Sequence, residues 1–157
     1  MSILLRIIIL NSIGPLWALI LAPGLFEKYF YSAFAADGIN VNKLLHTDIF
    51  TAFSIYWIGT MIAQIWWLWR AEINMSAPNL LPKAKITWWV LASLLIIAGI
   101  ALMASYVWIP YPQLPAIGVL LIAILNGIDF LILFWMATAT GTPGIYRSVI
   151  PGAKWFG

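Results

Sequence analysis

Residues 86–109 read ITWWVLASLLIIAGIALMASYVWI, an unbroken run with no charged side chain. A helix rises about 1.5 Å per residue, so about 20 apolar residues cross a hydrocarbon core of about 30 Å. The run is continuous rather than alternating, which argues against the strand of a membrane barrel and predicts a spanning helix. Working outward, three more stretches meet the same criterion, at about 3–22, 47–69 and 116–138. The expected fold is all-α: a polytopic four-transmembrane-helix bundle, forming one membrane domain over 1–157.

Composition supports this. The chain is 64% apolar and 8% charged, whereas soluble domains carry about 25% charged residues. Eight Lys and Arg with five Asp and Glu cannot cover a water-exposed surface of this size. Soluble globular, disordered, coiled-coil and nucleic-acid-binding classes are excluded. With no cysteine, thiol chemistry, disulfides, Cys-ligated zinc and iron–sulfur clusters are excluded too. With His46 as the one histidine, two axial histidines for a haem cannot come from this chain alone.

Span 3–22 has the outline of a secretory leader: Arg6, an apolar run, then Ala22-Pro23-Gly24. Pro23 follows the one plausible cleavage site and no A-x-A triplet precedes it, so a retained span is expected. Arg6, Arg70, Lys83, Lys85, Arg147 and Lys154 fall on one side of the bundle, and Lys28 and Lys43 on the other. By the positive-inside rule both termini are expected to be cytoplasmic. Trp66, Trp67, Trp69, Trp88, Trp89 and Trp135 lie near the inner ends of their spans. There they are expected to form an aromatic girdle, with some surface left for stacking on pigment, quinone or lipid.

The connections carry further signals. Pro110, Pro112 and Pro115 end one helix and predict a stiff turn between antiparallel neighbours. The 70–85 stretch, with Pro78 and Pro82, reads as a short loop whose Lys83 and Lys85 suit anionic headgroups. In the first outer connection, Phe26, Tyr29, Phe30 and Phe34 share one helical face. They predict a short interfacial helix over about 24–36, ending at an Asp37-Gly38 turn, and a candidate outer docking surface or lid. The tail, 139–157, is rich in Gly and Pro and reads as irregular, with Trp155 and Phe156 anchoring at the interface or on another subunit.

Polar residues at depth are the candidate site. An Asp at the bilayer centre costs about 2.5–3.5 kcal/mol on insertion scales, and intramembrane carboxylates mark functional sites. Helix rise places Asp129, Asn11 and Thr60 within about 1 Å of one another in depth, at about 12–13 Å from the inner ends of their spans. Asn126 stands one turn from Asp129, and Gln64 lies within about a turn of the layer. Arg6 either snorkels to water or reaches across a depth gap of about 8 Å toward Asp129. Pro15 has no N–H for the Asn11 carbonyl one turn earlier, so a kink near Asn11 is expected. The layer reads as a structural polar cluster, a proton or cation relay, or a contact with a partner or cofactor. His46 is a candidate single ligand to a pigment, haem or metal. Asp48 reads as an acid complementing the start of its helix.

No P-loop, dinucleotide fingerprint, HExxH or GxSxG motif occurs. The expected function is that of a non-catalytic accessory subunit in a larger membrane complex of respiratory, photosynthetic or membrane-oxygenase type. Its partners would be the lipid bilayer and other integral-membrane subunits, with lipid, quinone or chlorophyll as the groups it contacts and no metal site of its own. The alternative is a homo-oligomeric channel or proton- or cation-coupled transporter using Asp129. A membrane-embedded enzyme is disfavoured by the shortage of titratable groups.

Overall fold

The computed structural model describes residues 5, 8, 9, 11, 12, 38–74, 77–114 and 116–156, without the side chains of 41, 117–119, 121–126 and 156. Every regular element among them is helical. Helix α1 runs Leu44–Ile73, α2 runs Pro78–Trp108 and α3 runs Ala116–Gly141. The first two are long and apolar enough to cross a membrane, and the described half of α3, Gly127–Gly141, is a shorter, predominantly apolar helix. The expected interfacial helix at 24–36 and its Phe26, Tyr29, Phe30 and Phe34 lie outside the described residues, as do Arg6 and most of 3–22.

The helices carry apolar side chains on their exposed faces as well as in their core. On α1, Tyr56, Thr60, Gln64, Trp67 and Ala71 recur every three or four residues and are buried. Ile55, Ile58, Ile62, Ile65 and Trp69 of the same helix are exposed. Helix α2 likewise exposes Ile86, Val90, Leu94, Ile97 and Ile100 and buries Ala84, Trp88, Ala92, Leu95 and Gly99. In water, an apolar surface this continuous would drive association.

All three helices touch one another. Two glycines mark close approaches: an added Cβ would stand 3.1 Å from the Tyr56 ring at Gly99 and 3.0 Å from the Leu68 side chain at Gly141. Phe130 of α3 fills the junction, its ring edge-on to Tyr56 at 4.8 Å and tilted against Phe53 at 5.9 Å. Such geometries place ring edges against ring faces, which the aromatic quadrupole favours.

The 70–85 stretch differs from its expected loop form. Helix α1 continues to Ile73, and Pro78 and Pro82 each stand at the start of a helical segment. Proline is tolerated there because the first turn has no partner for its missing N–H. At the other end, α2 closes in a π-turn over Ala104–Trp108 before the proline-rich turn. Tyr111 in that turn donates to Asp48 Oδ2 at 2.5 Å. Asp48 thereby straps the α2–α3 turn to the first turns of α1.

Burial and the Asp48 carboxylate push the Tyr111 phenol up to about 12 from its ordinary value near 10. The folded state therefore holds this proton more tightly than the unfolded state. The strap's contribution to stability is present in full below about pH 10 and fades as pH rises toward 12. Between pH 8 and 12 the midpoint temperature of the natural chain should fall more steeply than that of a Tyr111→Phe variant. Parallel curves would overturn the assignment.

The tail is ordered rather than irregular. Two short 3-10 segments, Gly144–Val149 and Ala153–Phe156, fold back on the chain's own helices. Tyr146, Val149, Ile150 and Ala153 are buried there. Trp135 donates its indole N–H to the Pro151 carbonyl at 2.6 Å. Gly152 makes the reversal at φ +70°, a conformation that L side chains avoid. The tail thus anchors chiefly on its own bundle, while Trp155 stays 82% exposed.

Candidate functional site

Three polar or aromatic assemblies are built on these helices. The first closes the tail end of the bundle. Trp67 of α1 donates to Thr142 Oγ1 at 2.8 Å, and Trp88 of α2 donates to Thr138 Oγ1 at 3.1 Å. Each threonine hydroxyl in turn donates to its own backbone one turn back, Thr142 to Thr138 O and Thr138 to Phe134 O. Thr138 and Thr142 are four residues apart and so share a face of α3 and its end. Trp67 and Trp88 are 1% and 4% exposed, which takes them out of the expected aromatic girdle and into the core. Trp66, Trp69 and Trp89 remain on the exterior, with the Arg70 guanidinium 5.3 Å over the Trp66 ring.

The second assembly is the polar stripe. Asn11 Nδ2 donates to Gln64 Oε1 at 2.6 Å, both residues buried. The Asn11 carbonyl, to which Pro15 has no N–H to offer, accepts the Trp57 indole at 3.0 Å. Thr60 is fully buried and donates to the Tyr56 carbonyl of its own helix at 2.9 Å. Among the described residues, the Tyr56 hydroxyl, Gln64 Nε2 and Asp129 Oδ2 are buried without a partner. Tyr56 also borders a cavity of about 10 Å³, about the space one water molecule occupies.

The structure therefore joins Asn11 to Gln64 rather than to Asp129. Asp129 sits half-buried on α3, and Thr60 turns to its own backbone. The side chain of Asn126 and all of Arg6 lie outside the described residues. His46 is exposed in the π-turn that opens α1. No group of three metal-ligating side chains occurs among the described residues, and the Glu27 and Asp37 near it in sequence lie outside them. Sequence reasoning missed the Trp–Thr pairs. Their one signal was a run of threonines, Thr138, Thr140 and Thr142, ending an otherwise apolar helix opposite a tryptophan cluster.

The third assembly is a lateral groove of about 390 Å³ between α2 and α3. Trp88, Trp89 and Ile96 line one wall, Ile132 and Trp135 the other, and Pro151 of the tail closes one end. Trp88 stacks on Phe134 at 5.7 Å, and Trp89 stands perpendicular to Trp88 at 5.2 Å. The groove is apolar and opens on the exposed face of the bundle. It is suited to a hydrocarbon ligand or an apolar side chain, not to acid–base chemistry.

The comparisons with known proteins leave the reading to the geometry: the chain matches no family model, no curated protein and no solved structure.

Proposed function

We propose that this chain is a four-span integral membrane protein with both termini cytoplasmic, serving as a non-catalytic accessory subunit of a larger membrane complex. The observation that carries this reading is the lateral groove. Where the helices α1–α3 are described, the internal cavity beside Tyr56 is about 10 Å³, whereas the groove on the outer face is about 390 Å³ and walled by tryptophan. Recognition is thereby directed sideways, to partner helices, lipid, quinone or pigment, rather than through the bundle. The continuous apolar exterior of α1 and α2 supports the same view, since helices in lipid associate through lateral packing.

The test is purification of the tagged chain from its own membrane in mild detergent, reading size, co-purifying chains and visible to near-infrared absorption. A stoichiometric complex with other membrane chains is expected. A lone homo-oligomer would sink the reading. The orientation has its own test, made clean by the lack of native cysteine. Asn42→Cys should react with an impermeant maleimide from outside intact cells, and Ser148→Cys only after permeabilisation. Both positions are exposed.

A second reading is favoured by the buried Asp129 Oδ2, which has no partner among the described residues. In it the chain is a proton- or cation-coupled channel or transporter, and the Tyr56–Thr60–Gln64 stripe lies on the route. Asp129→Asn keeps the size and removes the titration. If the accessory reading holds, complex assembly and proton leak in proteoliposomes are unchanged by this substitution. A tenfold loss of ion flux would put transport first.

A further inference from the structure

The groove between α2 and α3 is lined by aliphatic and aromatic side chains, and Lys85 stands one helical turn before Trp88 and Trp89 in its wall. We propose that it is a specific site for one anionic phospholipid, with an acyl chain lying along Trp88, Trp89 and Ile96 and the phosphate against Lys85. The inference deepens the accessory-subunit reading by naming what the groove holds, and it rests on the membrane placement made there.

Length is the first argument. Lys85, Ala92 and Ile96 are separated by seven and four residues, so at about 100° per residue they fall within about 40° of one another on α2. Ala92 and Ile96 line the groove, and Lys85 continues the same stripe past its tail end. The eleven steps from Lys85 to Ile96 span about 16 Å, close to half of a hydrocarbon core of about 30 Å. The stripe therefore matches the depth of one leaflet.

Hydrogen bonding is the second. The Trp88 indole N–H is engaged by Thr138 and that of Trp135 by the Pro151 carbonyl. A quinone carbonyl or the polar edge of a pigment would meet no free donor from either of these rings, and the third indole, Trp89, is 50% exposed and so placed for a headgroup oxygen. A saturated chain requires none. Burying it against aromatic walls gains contact at no polar cost.

Charge is the third. Lys83, Lys85 and Lys154 are all exposed, and no carboxylate among the described residues pairs with Lys85. Lys154 follows Pro151, the residue closing that end of the groove, by three positions. A cationic rim above an apolar channel selects a ligand that is anionic at one end and hydrocarbon along the rest. The exposed Trp89 beside the mouth fits the headgroup boundary, where indole is favoured.

The experiment is native mass spectrometry of the full chain, released from nanodiscs of equimolar phosphatidylcholine and phosphatidylglycerol. One retained phospholipid per chain is expected, with phosphatidylglycerol favoured at least fivefold. Lys85→Gln should bring that preference close to unity. Ile96→Trp, at a position 44% exposed, should fill the groove from its rim and lose either lipid, with circular dichroism showing the helices retained. Equal retention of the two lipids by the natural chain, or an unchanged preference in Lys85→Gln, overturns the proposal. So does a partner helix cross-linking to Ile132→Cys in the intact complex. Partner chains are read separately, in the mild-detergent purification from the chain's own membrane. Partners without lipid overturn the lipid site alone, and lipid without partners overturns the accessory reading alone.

Discussion

Trp67→Ala is expected to destabilise the bundle by about 3–5 kcal/mol, the range for removing a fully buried large aromatic. Trp67 is 1% exposed, so the truncation leaves an internal void that its neighbours close only in part. It also removes the indole donor to Thr142, the link that ties α1 to the point where α3 ends and the tail begins. Trp67→Phe separates the two effects. Most of the volume is kept and the donor is lost, while the Thr142 hydroxyl still donates to the Thr138 carbonyl. That variant should cost about 1 kcal/mol from the hydrogen bond, plus whatever the smaller ring leaves unfilled. Unfolding in mixed micelles with increasing dodecyl sulfate reads both. Should Trp67→Ala unfold within 1 kcal/mol of the natural chain, Trp67 does not hold the tail end together. Loosening there should also expose the tail to protease at Arg147 and Lys154 before the helices themselves are cut.

Phe130→Ala should cost a similar amount, about 3–5 kcal/mol, through a different consequence. Phe130 is 1% exposed and packs against both Phe53 and Tyr56 at the three-helix junction. Its removal merges the new void with the small cavity beside Tyr56 and lets the Tyr56 ring leave Gly99. Tyr56 and Gln64 flank Thr60 on one stripe of α1, so disorder at Tyr56 reaches the polar residues that Asn11 contacts. A double-mutant cycle of Phe130→Ala with Tyr56→Leu, which removes the second ring, tests the coupling. The edge-to-face pair alone accounts for about 0.5–1.5 kcal/mol of interaction energy. Strict additivity would show that Phe130 merely fills space.

These substitutions act on the packing, whereas the groove is a surface feature. Lys85→Gln and Ile96→Trp change residues exposed to the surroundings and leave Trp67, Phe130 and the polar stripe untouched. The contrast gives the functional proposal a usable control. Destabilised variants should lose tail docking and lipid together, while Ile96→Trp should lose lipid alone and Lys85→Gln only the preference for the anionic lipid. Should Phe130→Ala keep its lipid while losing stability, the two regions would be energetically independent.

The amino-acid sequence by itself determined the helical class and the positions of the long helices, because continuous apolar runs of helical length have few other outcomes. The expected runs at 47–69 and 86–109 lie within Leu44–Ile73 and, but for one residue, Pro78–Trp108, and the run at 116–138 lies within Ala116–Gly141. It also marked Asn11, Thr60 and Asp129 as polar groups at one depth, with Gln64 within about a turn of them, since rise per residue is fixed. It mistook Pro78 and Pro82 for loop residues because proline both breaks a helix and starts one, and only the direction of the chain around it tells which. Tertiary structure alone decided partners. Depth is a one-dimensional quantity read from the ends of each helix, whereas a hydrogen bond depends on the rotation of two helices about their axes. That rotation pairs Asn11 with Gln64 rather than Asp129, and it turns Trp67 and Trp88 inward to threonine while Trp66 and Trp89 face out. In helices apolar on every side, the hydrophobic pattern leaves rotation unmarked. The choice of inward face then falls to close packing at Gly99 and Phe130 and to the few polar groups that must find one another.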